Sequence, residues 1–248
     1  MSGRAIEVLG HVSAVAGYTT YMDLIEPFLQ GKKRVSTTMK KEVDRVKAAI
    51  DIALSGESCA IVSSGDPGIY AMAGLVFEMC RERGIAVLRP GSDCEKETQG
   101  QKLTIEVVPG IPALASGASL LGAPLTHDFA VVSLSDLLTP WEMIEKRLHA
   151  AAQADFVIVI FNPRSRKRNW QLQRAQEIVM EYRDGKTPVG VVKSAMRDEQ
   201  DVLVTTLSQL HLADVDMLST VFIGSSASVA YMDYIITPRG YSEKYNII

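Results

Sequence analysis

The stretch Ser63-Ser64-Gly65-Asp66-Pro67-Gly68-Ile69-Tyr70 lies where a short apolar run, Cys59-Ala60-Ile61-Val62, gives way to apolar residues at helical spacing: Ile69, Met72, Ala73, Val76, Met79 and Cys80. The run reads as a strand covered on both faces. The spaced residues predict one apolar face of a helix. Asp66 has the chemistry of an N-cap and Pro67 that of a first helical residue, while Gly65 and Gly68 permit backbone angles and close approach that a side chain would block. A strand, a turn and a helix in this order predict an α/β domain, in which ligands bind at the carboxyl ends of the strands. From these residues alone, a ligand turn and an ordinary capped connection both remain open.

Composition narrows the function classes. The 248 residues are 47% hydrophobic and 22% charged, enough for one large or two small domains with a substantial core. A formal net charge of -3 offers no broad basic field for nucleic acid or an anionic membrane. Cys59, Cys80 and Cys94 show no metal-ligand spacing and no even count, which fits a reduced chain without a metal site. No apolar run reaches the roughly 20 residues of a membrane span, and the start has no signal-peptide core. The expectation is a cytoplasmic protein.

Upstream of the opening stretch, residues 5–12 predict a helix, 13–16 a short strand, and 20–28 and 40–54 two helices. Downstream, residues 89–102 are polar and without period and predict a loop or insertion. Residues 103–108 predict a strand, and 112–121 a helix of small residues that either admits a ligand or packs tightly on a sheet. Gly122-Ala123-Pro124-Leu125 predicts a joint between an N-terminal domain, 1–122, and a C-terminal domain, 123–248. Beyond it come strands at 129–134 and 155–161, helices at 140–152 and 171–182, and closely spaced strands at 188–192, 201–205 and 219–223, which predict a mixed sheet with antiparallel members. Arg164, Arg166, Lys167 and Arg168 follow the strongest strand and read either as a carboxylate site or as a solvated turn. His127 beside Asp128 is an acid/base candidate, although adjacent residues on an extended chain point apart. The motifs of nucleotide triphosphatases, serine hydrolases, zinc peptidases and dinucleotide enzymes are missing.

Taken together, residues 64–70, 108–111, 122–129, 133–141 (Ser-Leu-Ser-Asp-Leu-Leu-Thr-Pro-Trp), 161–165 (Phe-Asn-Pro-Arg-Ser) and 236–241 resemble the tetrapyrrole (corrin/porphyrin) methyltransferases. Within that family the resemblance is to the precorrin-3B or cobalt-precorrin-3 C17-methyltransferase branch. It implies a two-domain α/β fold, with a mostly parallel N-terminal sheet, a mixed C-terminal sheet and an active site in the cleft. It also implies a homodimer, a small-molecule tetrapyrrole substrate, and S-adenosylmethionine as donor with S-adenosylhomocysteine as product. Ser64, Gly65, Asp66, Ile69, Pro112, Ala113 and Asn162 would line the donor pocket, with Ser194 or Ala195 nearby. The reaction implied is methylation at C17 with ring contraction, giving a precorrin-4 of cobalamin biosynthesis. His127 is the leading acid/base candidate, with Asp66, Asp128 and Asp136 behind it, and Arg164, Arg166, Lys193 and Arg239 would meet the substrate carboxylates. Family members begin with a strand and a Gly-x-Gly-Pro-Gly turn ahead of the point where this sequence starts, so the expectation is a fold without that first strand. Competing readings are a methyltransferase for another ring position and an inactive relative that binds tetrapyrrole or donor.

Overall fold

The computed structural model describes residues 1–92, 100–165 and 167–245, in two compact units, Met1–Pro112 and Ala113–Ile248. The division falls ten residues before the expected joint at Gly122. The helix of small residues is built into the core of the second unit, and Gly122-Ala123 is itself a strand.

In the first unit, α1 (Gly3–His11) leads into β1 (Ala14–Tyr18), followed by α2 (Thr19–Asp23), β2 (Lys33–Thr37), α3 (Glu42–Leu54), β3 (Cys59–Val62), α4 (Ala73–Glu82), β4 (Ala86–Leu88) and β5 (Lys102–Thr104). The strands form a parallel sheet in the order β2-β1-β3 and a separate parallel pair, β4-β5. Alternation along β3 assigns its faces. Ala60 and Val62 pack with Leu9, Val15, Met22, Ile25 and Leu29, whereas Ile61 packs with Val46, Ile50, Cys80 and Ile85. Helices therefore cover both faces, as the unbroken apolar run of β3 requires.

Three local expectations are corrected. Residues 20–28 form one turn of α2 and then a 3-10 turn (Glu26–Phe28) with Pro27 inside it, because proline lacks the N–H that would continue an α-helix. The strand expected over 103–108 shortens to β5. The helix expected from Ile69 starts only at Ala73, and Asp66 does not cap it. Two strands were not foreseen: β2 is an exposed edge with little apolar pattern, and β4 is only three residues long. Of the insertion expected at 89–102, residues 93–99 lie outside the described residues and Lys102 opens β5.

The second unit contains α5 (Ala113–Leu121), β6 (Gly122–Ala123), β7 (Phe129–Ser133), α6 (Trp141–Gln153), β8 (Val157–Phe161), α7 (Gln171–Met180), β9 (Pro188–Lys193), β10 (Asp201–Thr206), β11 (Ser219–Ile223), β12 (Val229–Tyr231) and β13 (Tyr234–Ile236). Its main sheet runs β10-β9-β11-β8-β7, with β7 and β8 parallel and the other neighbours antiparallel, a mixed sheet as expected. Ile158, Ile160, Val189, Val191, Val221 and Ile223 face α6 and α7, while Val159, Val192 and Phe222 face α5 and β13.

Packing resolves the meaning of the small-residue helix. A Cβ on Gly117 would lie 2.7 Å from the Phe222 ring, and a Cβ on Gly190 would lie 2.4 Å from Leu121. Helix and sheet thus approach through two glycines. Gly117→Val should lower stability by about 1–3 kcal/mol in urea unfolding, since overpacking forces neighbours out of place. Gly74→Ala, in α4 with open space around it, should cost nothing.

Candidate functional site

The turn after β3 is held from within the first unit. One oxygen of Asp66 accepts the Gly68 N–H at 2.8 Å, and the other accepts the Gly110 N–H at 3.0 Å. Gly65 is left-handed at φ 72°, and a Cβ on Gly110 would lie 2.0 Å from the Gly65 carbonyl oxygen. Two glycine turns far apart in sequence are therefore pressed backbone to backbone, and Asp66 is the clamp. Ser64, Gly65 and Ile69 lie on this clamped turn. Tyr70 is left-handed at φ 51°, an unusual state for a bulky residue.

In the second unit, β8 and β9 both run antiparallel to β11, and β7 runs with β8, so β7, β8 and β9 end at one edge of the sheet. Asn162 and Ser194 follow the ends of β8 and β9. They sit two strand spacings apart, about 10 Å. Both are left-handed, at φ 51° and φ 50°, and Met196 follows at φ 60°. Non-glycine residues held this way concentrate at functional sites. Asn162 is fixed at two points, its Nδ2 donating to Ser133 Oγ at 3.0 Å and its carbonyl accepting from Arg168 Nε at 3.1 Å, while the preceding Phe161 carbonyl accepts the Leu134 N–H at 3.0 Å. Gln171 is buried, and its Nε2 donates to Asp136 at 2.8 Å. Burial pushes the Arg168 guanidinium down, and Asp136 opposes that shift.

The remaining expected site residues divide. Lys193 reaches the same edge, but its Nζ is 3.0 Å from Asp216 and 3.2 Å from Asp214. Hydrogen bonds from the lysine to Asp216 and Asp214 raise its pKa. Burial pushes the Asp216 carboxyl up, yet Lys193, the Leu218 N–H and Ser219 outweigh it and hold the group below its ordinary value. Arg164 is exposed on the β8–α7 turn, and Arg166 lies outside the described residues. His127 and Asp128 precede β7, and Asp128 accepts the Val157 N–H at the start of β8. They are thus a whole five-residue strand, about 16 Å, from the Asn162 edge. His127 Nδ1 accepts the Asp128 N–H at 2.8 Å and lies 3.6 Å from its carboxylate. Thr126 donates to the Thr237 carbonyl at 2.5 Å, which brings exposed Arg239 to the His127 side. On that edge buried Arg183 donates to the carbonyls of Phe156 and Gly224 and pairs with Asp155. Pro112 ends the first unit and Ala113 opens α5 in the second.

Ser133 and Gln171 had no role in the sequence reading, and Arg168 figured there only among cations read as a carboxylate site or a solvated turn. Their partners stand 29, 6 and 35 positions away, and no local pattern carries such spacings.

An α/β chain whose clamped glycine turn and left-handed strand-end residues follow strand termini has the architecture of a protein that binds a small molecule at its strand ends. The family described as Tetrapyrrole (Corrin/Porphyrin) Methylases matches residues 1–211, and the chain belongs to it. It is 46% identical over 244 residues to a cobalt-factor III methyltransferase of Priestia megaterium, spanning 98% of this chain and 43% of that protein's length. It is 45% identical to a probable cobalt-factor III C(17)-methyltransferase of Salmonella typhimurium, spanning 98% of this chain and 94% of the other. The crystal structure of the methyltransferase CobJ superposes with a TM-score of 0.83 at 31% identity, covering 96% of this chain and 93% of that one.

Asp66→Ala should cost about 1–3 kcal/mol in chemical denaturation, because two backbone donors lose a charged acceptor, and Asp66→Asn should recover part of it. The Lys193 pair gives a pH test. A carboxyl held below its unfolded value adds stability above that value and loses it as pH falls, so the deficit of Lys193→Met should be present at neutral pH and shrink below about pH 4.

Proposed function

We propose that this chain carries out S-adenosylmethionine-dependent methylation of cobalt-factor III or precorrin-3B at C17, with ring contraction, in cobalamin biosynthesis. Identity of 45% and 46% to proteins named for that reaction, over 98% of the chain, carries the reading. The residues fit the donor. Within the first unit, Gly65 and Gly110 bring two turns together without side chains between them, and Ile69 lies on the same turn. Asn162, with Nδ2 committed to Ser133, offers Oδ1 as an acceptor, and Ser194 adds a hydroxyl.

The donor supplies an electrophilic methyl on a sulfonium sulfur: a carbon–carbon bond forms at C17 while the carbon–sulfur bond breaks, leaving S-adenosylhomocysteine. The protein needs no covalent nucleophile and contributes orientation. In the second unit, the fixed backbone at Asn162 and Ser194 serves that purpose without reorganising. Asp66 has both oxygens committed to backbone donors and acts as the clamp rather than as a base. Among the acid/base candidates, Asp136 shares the edge with Asn162, and we assign it the proton exchange that ring contraction requires, in place of His127 and Asp128 at the far end of β7. Arg164 is the carboxylate partner on this edge. Lys193 is already matched by two aspartates, and Arg239 lies on the His127 side.

The same reading makes the protein a cytoplasmic homodimer with neither a nucleic-acid nor a membrane partner. It accords with the net charge of -3 and with unpaired Cys59 and Cys80, whose thiols burial pushes up, to about 11 for Cys59. Among the described residues no helix is long and apolar enough to cross a membrane.

Labelled donor incubated with cobalt-factor III should yield a labelled, ring-contracted product, and label appearing only in RNA or protein would refute the assignment. Asp136→Asn keeps the acceptor for Gln171 and should lower kcat by roughly 100-fold or more with donor affinity unchanged. His127→Ala should stay within about threefold of wild type; the reverse pattern would return the proton step to His127.

A further inference from the structure

The loop from β7 to α6 carries Leu137 and Leu138, which are 81% and 93% exposed. Single exposed leucines need no explanation, but adjacent, almost fully solvated ones on an anchored loop do. Each end of this loop is held. Leu134 is wholly buried, Ser135 N–H donates to Ser133 Oγ at 3.2 Å, Ser133 Oγ accepts from Asn162, and Asp136 accepts from buried Gln171. Beyond the leucines, Trp141 packs edge to face on Trp170, with ring centroids 4.8 Å apart. A loop free to fluctuate would tuck two leucines inward; this one is braced with both pointing out.

The bracing residues indicate the occupant. The loop is tied to Asn162, the residue read above as a donor contact, and through Gln171 to the β8–α7 turn, whose Arg164 and Lys167 are exposed. An apolar pair on one loop and cations on the loop bonded to it match a ligand with a broad apolar face and carboxylates around its rim. A tetrapyrrole has that form. We propose that Leu137 and Leu138 are substrate contacts that seat one face of the macrocycle beside the donor-binding edge and select for it. This inference rests on the methyltransferase reading.

The test compares the double variant Leu137→Ser/Leu138→Ser with wild type and with Leu212→Ser, a leucine 74% exposed on the 3-10 turn Leu207–Leu212. Solvent-exposed positions tolerate serine, so the variants should fold. The double variant should raise KM for cobalt-factor III by about tenfold or more, from loss of apolar contact area. Its kcat should stay within about threefold and its S-adenosylmethionine Kd, read by calorimetry, should be unchanged, while Leu212→Ser matches wild type. A double variant with unchanged KM would overturn the proposal while wild-type turnover left the enzyme assignment standing. So would a loss of activity that follows a change of oligomeric state in light scattering, since the leucines would then be subunit contacts. A wild-type chain that binds no donor would remove the methyltransferase reading and this inference with it.

Discussion

The hydrogen bond from Asn162 Nδ2 to Ser133 Oγ joins the ends of two parallel strands, and the geometry of that edge depends on it. Asn162 is left-handed, a conformation that costs free energy unless its surroundings enforce it. Ser133 holds its side chain, and Arg168 holds its carbonyl from a largely buried position. Arg168 is in turn held to Ser165, whose Oγ accepts its N–H at 3.1 Å. Charge is thereby used to fix backbone, which is why Arg168 is buried while exposed Arg164, four positions earlier, stays available to a ligand.

The first unit meets the same need by a different route. Its turn is fixed by Asp66 accepting from Gly68 and Gly110, and the two glycine backbones touch. An aspartate that looked like a helix cap is instead a crosslink between a turn and a loop 44 positions further on. In both units the flexible elements after strand ends are made rigid by polar side chains, so backbone groups are presented in one geometry. For methyl transfer that is the main requirement, because the donor already carries the reactivity and the protein contributes alignment.

The two ends of the second sheet have divided their work. At the amino end of β8, Arg183 is buried against two carbonyls and paired with Asp155, which also accepts from Ser226. At the carboxyl end the polar groups hold loops open to solvent, including the one with Leu137 and Leu138. His127 stands at the amino end, a strand's length from Asp136, so position separates the two residues.

Much of this was legible in the chain. The apolar runs 59–62 and 157–161, the helical spacing of α3, α6 and α7, and the glycine turns each depend on neighbours a few residues apart, so sequence alone determined two α/β units, a mixed second sheet and the membership suggested by the Asn-Pro-Arg-Ser and Ser-Leu-Ser-Asp-Leu-Leu stretches. Weakly patterned β2, the delayed start of α4 and the assignment of α5 to the second unit were not legible, because packing against distant residues decides them. The site divided the same way. The family resemblance named Asn162, Asp136 and Lys193 as candidates, but only the tertiary structure decided that Asn162 is braced by Ser133, that Lys193 is matched by Asp214 and Asp216, and that His127 lies a strand's length away. Those outcomes rest on hydrogen bonds and strand directions linking positions tens of residues apart, which no local pattern records.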